Sequence, residues 1–115
     1  MLNLHGFVGY FKEHQDLPYV LNISHPENLV GNTSLTDSNI AADNDTFLAK
    51  RYFEVTDNPI MYAEANNATF KIGNMEILLS VYSPSNTLKA ADLKDQMEKM
   101  MLAQKAFLGD VDVTK

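Results

Sequence analysis

One stretch of this sequence has a clear helical period. Leu93, Met97, Met100, Met101 and Phe107 or Leu108 recur at spacings of three and four, which lines one face of an α-helix with apolar side chains. The stripe predicts a helix over about Ala90–Leu108. Asp92 lies in its first turn and Lys105 in its last, where the helix dipole favours each charge. Gly109 follows, where a left-handed cap is expected. A methionine stripe at this spacing reads as core in preference to an adaptable binding groove.

Before the helix, short strand-like runs alternate with turn chemistry. Leu2–Phe11 is apolar with glycine interruptions and reads as a strand with a bulge or sharp bend. Lys12–Asp16 is a polar connection. Pro18–Ser24 alternates, with Tyr19, Leu21 and Ile23 on one face. His25-Pro26-Glu27-Asn28 is a turn, and Leu29–Leu35 is a weak strand. Thr36–Thr46, rich in Asp, Asn and Ser, reads as a loop, and Phe47–Val55 as a strand. Thr56-Asp57-Asn58-Pro59 then stops the run, because Asp or Asn before proline initiates a turn and holds the preceding residue extended. The chain resumes with Ile60-Met61-Tyr62, and Met61 and Tyr62 look exposed. Asp57, Asn58 and Pro59 are therefore candidates for a domain-junction turn that aims Ile60–Tyr62 at a neighbouring domain.

After Asn66-Asn67, Thr69–Ile72 is a strand, Gly73-Asn74 suits a type II′ hairpin turn, and Met75–Ser83 is the partner strand. Its apolar centre, Ile77-Leu78-Leu79, predicts cover on both faces. Ser83–Thr87 is a loop around Pro84. Val111 and Val113 alternate with Asp112 and Thr114, as at the start of a further strand. The expected fold class is α+β: a strand-dominated N-terminal part followed by a small β-α-β unit with one long helix. The strand-like alternation directly after Met1 and the strand beginning at Val111 suggest a piece of a longer protein.

Composition narrows the function. With 45% hydrophobic and 21% charged residues the chain reads as an ordinary globular protein. Its formal net charge of -6 repels nucleic-acid phosphates, so no nucleic-acid partner is expected. The Lys89–Lys105 region is near neutral, so the acidity sits mostly before it. No apolar run approaches the roughly 20 residues that span a bilayer, and Met1–His14 lacks the basic start of a signal peptide. The absence of cysteine excludes disulfides, thiolate metal sites and a cysteine nucleophile.

Few residues form a recognisable chemical constellation. His5, His14 and His25 lack the spacing that puts two imidazoles on one helix face, and Glu13-His14 lacks the second histidine of H-E-x-x-H. They read as surface or strand-edge histidines. Asp43 and Asp45 lie in an Asn/Asp-rich stretch without the twelve-residue calcium-loop pattern, and read as a solvated loop. There is no phosphate-binding glycine loop and no nucleophile elbow. The N-x-[ST] patterns at Asn22, Asn32, Asn44 and Asn67 carry little weight in a chain this rich in asparagine.

The stretch YFEVTDNPIMYAEANNATFKIGNMEILLSVYSP, with the helix DLKDQMEKMMLAQKAFLG, resembles the glycyl aminopeptidase family of zinc metallopeptidases. The similarity is to the region just upstream of their thermolysin-like catalytic domain. Asp57 and Pro59 match the family's Asp-x-Pro turn. LPYVLNISHPENLVGNTSL is similar to the strand, His/Pro turn and strand of the family's N-terminal β domain. The resemblance implies that residues 1–66 are the end of that β domain. It implies that residues 67–115 are the opening strands and helix of the catalytic domain. The family's zinc ligands and general base lie in an H-E-x-x-H helix and a downstream glutamate. Neither is in this sequence, so no catalytic or metal residue is carried over and no cofactor is expected in this chain. Zinc is implied only for the parent protein, which would release N-terminal glycine or alanine by metal-activated water. The implied partners are the rest of the parent peptidase and, through it, a peptide substrate. The implied location, by resemblance alone, is periplasmic or exported.

The leading expectation is thus a non-catalytic part of a zinc aminopeptidase that helps to shape the substrate cleft. The alternative is a stand-alone β-rich module binding peptide or glycan at an aromatic site built from Tyr10, Tyr19, Tyr52 or Tyr62. A structural domain without a small ligand is the third reading.

Overall fold

The computed structural model describes residues 1–39 and 41–109. They form a mixed α+β fold of small antiparallel sheets, a short helix and one long C-terminal helix. The chain divides into two compact units, Met1–Ala65 and Asn66–Lys115.

The first unit contains strands β1 (Tyr19–Ser24), β2 (Val30–Asn32), β3 (Thr36–Asp37), β4 (Asn44–Ala49) and β5 (Met61–Ala63), with helix α1 (Tyr52–Asp57) between β4 and β5. A three-stranded sheet has the order β1-β4-β3, and β2 and β5 form a separate two-stranded ribbon. The β1–β4 register sets Leu21 opposite Phe47 and Ile23 opposite Asp45. Alternation then turns Asp45, Phe47 and Ala49 inward, and all three are buried. Two outward pairs are polar, the Thr46 hydroxyl donating to Asn22 Oδ1 at 2.9 Å and the Asn44 amide donating to Ser24 Oγ at 3.0 Å, while Val20 and Leu48 form an exposed apolar pair.

Leu4, Leu35, Phe47, Ala49, Val55 and Ile60 make the core. Phe47, Val55 and Ile60 are its largest fully buried side chains. Each contributes about 1.5–3 kcal/mol relative to an exposed position.

Four expectations for this unit are corrected. Residues 2–11 are not a strand: Leu2 makes an isolated bridge to Ile60, and Leu4–Gly6 is a single 3-10 turn that buries Leu4. The weak strand at 29–35 is only three residues long, Val30–Asn32. The stretch 36–46 is more than a loop, since it holds β3 and the start of β4. The strand expected over 47–55 ends at Ala49, and the chain turns into α1. There the Glu54 carboxylate accepts from the Lys50 N–H at 2.7 Å, a first-turn arrangement that favours a helix start. Tertiary burial of Val55 reinforces it, overriding the strand preference of Tyr52, Phe53 and Val55.

The second unit is a hairpin, β6 (Asn67–Ile72) and β7 (Met75–Ser80), followed by helix α2 (Ala90–Leu108). Gly73 opens the hairpin turn with φ +63, as a type II′ turn requires. The helix lies chiefly against β6, where Phe70 and Ile72 are buried. Ala90 is buried, and Leu93, Lys94, Met97, Glu98, Met101 and Lys105 are half-buried. The expected stripe is corrected in part, since Met100 is exposed and Phe107 is 88% exposed. β7 stops at Ser80, and Ile77, Leu78 and Leu79 are half-buried, not covered on both faces. Gly109 ends the helix at φ 85, its N–H donating to Lys105 O at 2.8 Å. The strand expected from Val111 lies outside the described residues.

Candidate functional site

The expected junction turn lies inside the first unit. Asp57 ends α1 and Asn58 closes it: the Asn58 amide donates to Glu54 O at 2.7 Å, and Asn58 Oδ1 accepts from the Ser34 hydroxyl. Pro59 carries the chain into Ile60, whose N–H donates to Leu2 O at 3.0 Å while its own carbonyl accepts from Leu2 N–H at 2.7 Å. The Ile60 side chain enters the core of its own unit. Met61 and Tyr62 are half-buried in β5 against β2.

The densest polar cluster gathers residues that the sequence leaves apart. His25 follows β1, and its backbone N–H donates to Asp43 O at 2.9 Å. Asp45 stands on the inner face of β4. A carboxylate there must be partnered, and it is held at both oxygens. Oδ2 accepts from the Tyr62 hydroxyl at 2.7 Å, and Oδ1 lies 3.3 Å from His25 Nε2. The His25 and Tyr62 rings pack at 4.9 Å between centroids, tilted by 41°. His25 Nδ1 lies 3.0 Å from Pro26 O. The His25 side chain is only 6% exposed. Gly31, paired with Tyr62 across the ribbon, completes the site. A Cβ at Gly31 would sit well inside contact with Asp45 Oδ2 and 3.1 Å from both Phe47 and Tyr62.

The electrostatics follow from this packing. The Pro26 carbonyl, and then Asp45 and the Asp43 charge, hold the His25 imidazole above its ordinary pKa, against the opposing effect of burial. Burial, the bond to Asp45 and the charges of Asp45 and Asp37 push the Tyr62 phenol well above its usual range.

The cluster bridges the β1-β4-β3 sheet and the β2–β5 ribbon. Sequence reading placed Asp45 in a loop and His25 at a turn surface. Extending the period of two back from Phe47 would have turned Asp45 inward. His25 has no comparable sequence signal.

The histidines do not converge on a metal. Among the described residues, no group of three or more His, Cys, Asp or Glu side chains could hold one. Their positions do not fit the zinc implied for the parent protein. Among the described residues, no helix is long and apolar enough to cross a membrane.

Three of the four candidate tyrosines do come together. The Tyr10 and Tyr52 rings lie 4.8 Å apart and those of Tyr19 and Tyr52 5.7 Å apart. The Tyr52 hydroxyl donates to Val8 O at 2.7 Å, which fixes the central ring. Tyr62 belongs to the His25 cluster instead.

Compared with known families, residues 1–64 match the family model described as Peptidase M61 N-terminal domain. No curated protein and no solved structure matches the chain.

Proposed function

The chain belongs to the M61 metallopeptidase family, whose N-terminal domain it carries over residues 1–64, and from this premise we propose that it is a non-catalytic part of a zinc aminopeptidase. In this reading the first unit helps to wall the substrate cleft. The second unit is the opening of the catalytic domain. The parent enzyme removes N-terminal glycine or alanine from peptides. The observation that carries the reading is the coincidence of the family match, residues 1–64, with the compact unit Met1–Ala65.

Further support comes from the second unit. Met100, Leu102, Phe107 and Leu108 of α2 are exposed, an apolar surface that more of a catalytic domain would cover. The turn Asp57-Asn58-Pro59 serves as a junction element indirectly. It fixes the path of β5, which runs to the boundary between the units.

The test begins with the gene. Its coding sequence past Lys115 should encode an H-E-x-x-H helix, and the full product should release glycine or alanine from peptide N-termini in a chelator-sensitive way. A full product without that helix and without that activity overturns the proposal. A second reading, a peptide- or glycan-binding module, is favoured by the tyrosine cluster, whose Tyr10 is 55% exposed. Titration of the chain against peptide and sugar panels separates the two, because only the module predicts saturable binding by the chain alone.

A further inference from the structure

We propose that His25, Asp45 and Tyr62 form a proton-dependent latch that holds the β2–β5 ribbon onto the β1-β4-β3 sheet. The geometry alone makes the case. One nitrogen of the His25 ring faces the Pro26 carbonyl at 3.0 Å and the other faces the Asp45 carboxylate at 3.3 Å. Both neighbours are acceptors. A neutral imidazole has one N–H and one lone pair, so in either tautomer a lone pair is turned toward an oxygen. Only the imidazolium presents a proton to each.

Burial removes the usual escape. His25 Nε2 is buried and makes no well-aligned hydrogen bond, and its side chain has little contact with water. Loss of the proton from Nε2 turns a lone pair toward the carboxylate, and loss from Nδ1 leaves the Nε2–H bond to Asp45 without the charge that strengthened it, so either tautomer weakens the contact. Asp45 cannot turn away cheaply, because its other oxygen accepts from Tyr62. The strain therefore falls on the contact between β4 and β5, which is the contact that joins the two sheets at this point. The groups facing His25 are Asp45 from β4, Tyr62 from β5 and Asp43 from the turn before β4, with Asp37 of β3 acting on the Tyr62 side. Asp45 and Asp43 both favour the charged ring. Below the imidazole midpoint the latch is closed, and it loosens as pH rises through that midpoint.

The experiment follows the His25 ring proton by NMR in the whole chain while pH is raised from about 5 to about 9, a window centred on imidazole titration. Amide exchange at Met61–Ala63 and Val30–Asn32 is measured alongside and corrected for its intrinsic pH dependence. The expected result is a His25 midpoint above about 6.5, with ribbon exchange roughly threefold or more faster once the ring is neutral. In His25→Gln the ribbon exchange should no longer respond to pH. A midpoint at or below about 6.5 overturns the latch, as does ribbon exchange indifferent to His25 protonation. Both readings come from the unaltered chain, so they decide the matter even if the variant fails to fold.

Discussion

Asn66 caps a helix that begins 24 residues later, at Ala90. Its Oδ1 accepts from the Ala90 N–H at 2.9 Å, and its amide donates to Leu88 O, also at 2.9 Å. The local N-cap residue, Lys89, offers no side-chain cap, so Asn66 does from the hairpin what a serine or aspartate usually does from the preceding position. Asn66→Ala should cost the second unit about 1 kcal/mol. Asn66→Asp should recover part of that, since it keeps the acceptor and loses the donor. Thermal unfolding followed by circular dichroism reads both, and equal losses in the two variants would refute the capping role.

Gly31 is required by what surrounds it. An added methyl group meets the Asp45 carboxylate, which is held on both sides, and the rings of Phe47 and Tyr62. Gly31→Ala should therefore destabilise the first unit by about 1–3 kcal/mol, as overpacked cores do. Gly6 and Gly9 have open space where a Cβ would be, so alanine there should be neutral or slightly stabilising. Denaturant unfolding of the three variants tests the contrast, and a Gly31→Ala chain as stable as Gly9→Ala would sink it.

Those sites also mark how far the sequence could be read. The bounds of α2 were legible from its period and its end residues, but not its buried face, since Met100, Phe107 and Leu108 of the expected stripe are exposed. The β6–β7 hairpin was legible from Gly73. α1 was not, because Tyr52, Phe53 and Val55 favour strands, and only the burial of Val55 and the Glu54–Lys50 bond reverse the choice. The candidate site was the least legible part. Its three polar side chains come from positions 25, 45 and 62, and no local period links them. Composition shows Asp45 as one acid in a polar stretch, and only pairing with β1 turns it inward.

The turn at Asp57-Asn58-Pro59 gives a third prediction. Asn58 joins the end of α1 to the segment between β2 and β3, donating to Glu54 O and accepting from Ser34. Asn58→Ala should cost about 1 kcal/mol, the usual net worth of a lost hydrogen bond with some cap character. Ser34→Ala should cost less, because Asn58 keeps its bond to Glu54. If the double variant Ser34→Ala/Asn58→Ala loses the sum of the two single losses, the residues are not coupled and the bridge contributes nothing.

The alkaline side of the stability profile isolates Tyr62. Its folded pKa is raised, so the stability it contributes is full below the unfolded phenol value of about 10 and is lost as pH climbs beyond it. His25 acts in the same direction at lower pH: its contribution is full below about 6.5 and fades as pH rises through its raised folded value. Neither group explains a loss of stability in acid. Tyr62→Phe removes a hydrogen bond to a carboxylate and should cost about 2 kcal/mol at neutral pH. Every other side chain is common to both chains, so the difference between wild type and Tyr62→Phe isolates the Tyr62 hydroxyl. Once pH is above the His25 midpoint, that difference should hold steady up to about pH 10 and shrink above it. Unfolding free energies measured across the alkaline range check this. A difference that stays constant would mean that the Tyr62 hydroxyl ionises as readily in the folded chain as in the unfolded one, and that its bond to Asp45 does not hold the proton.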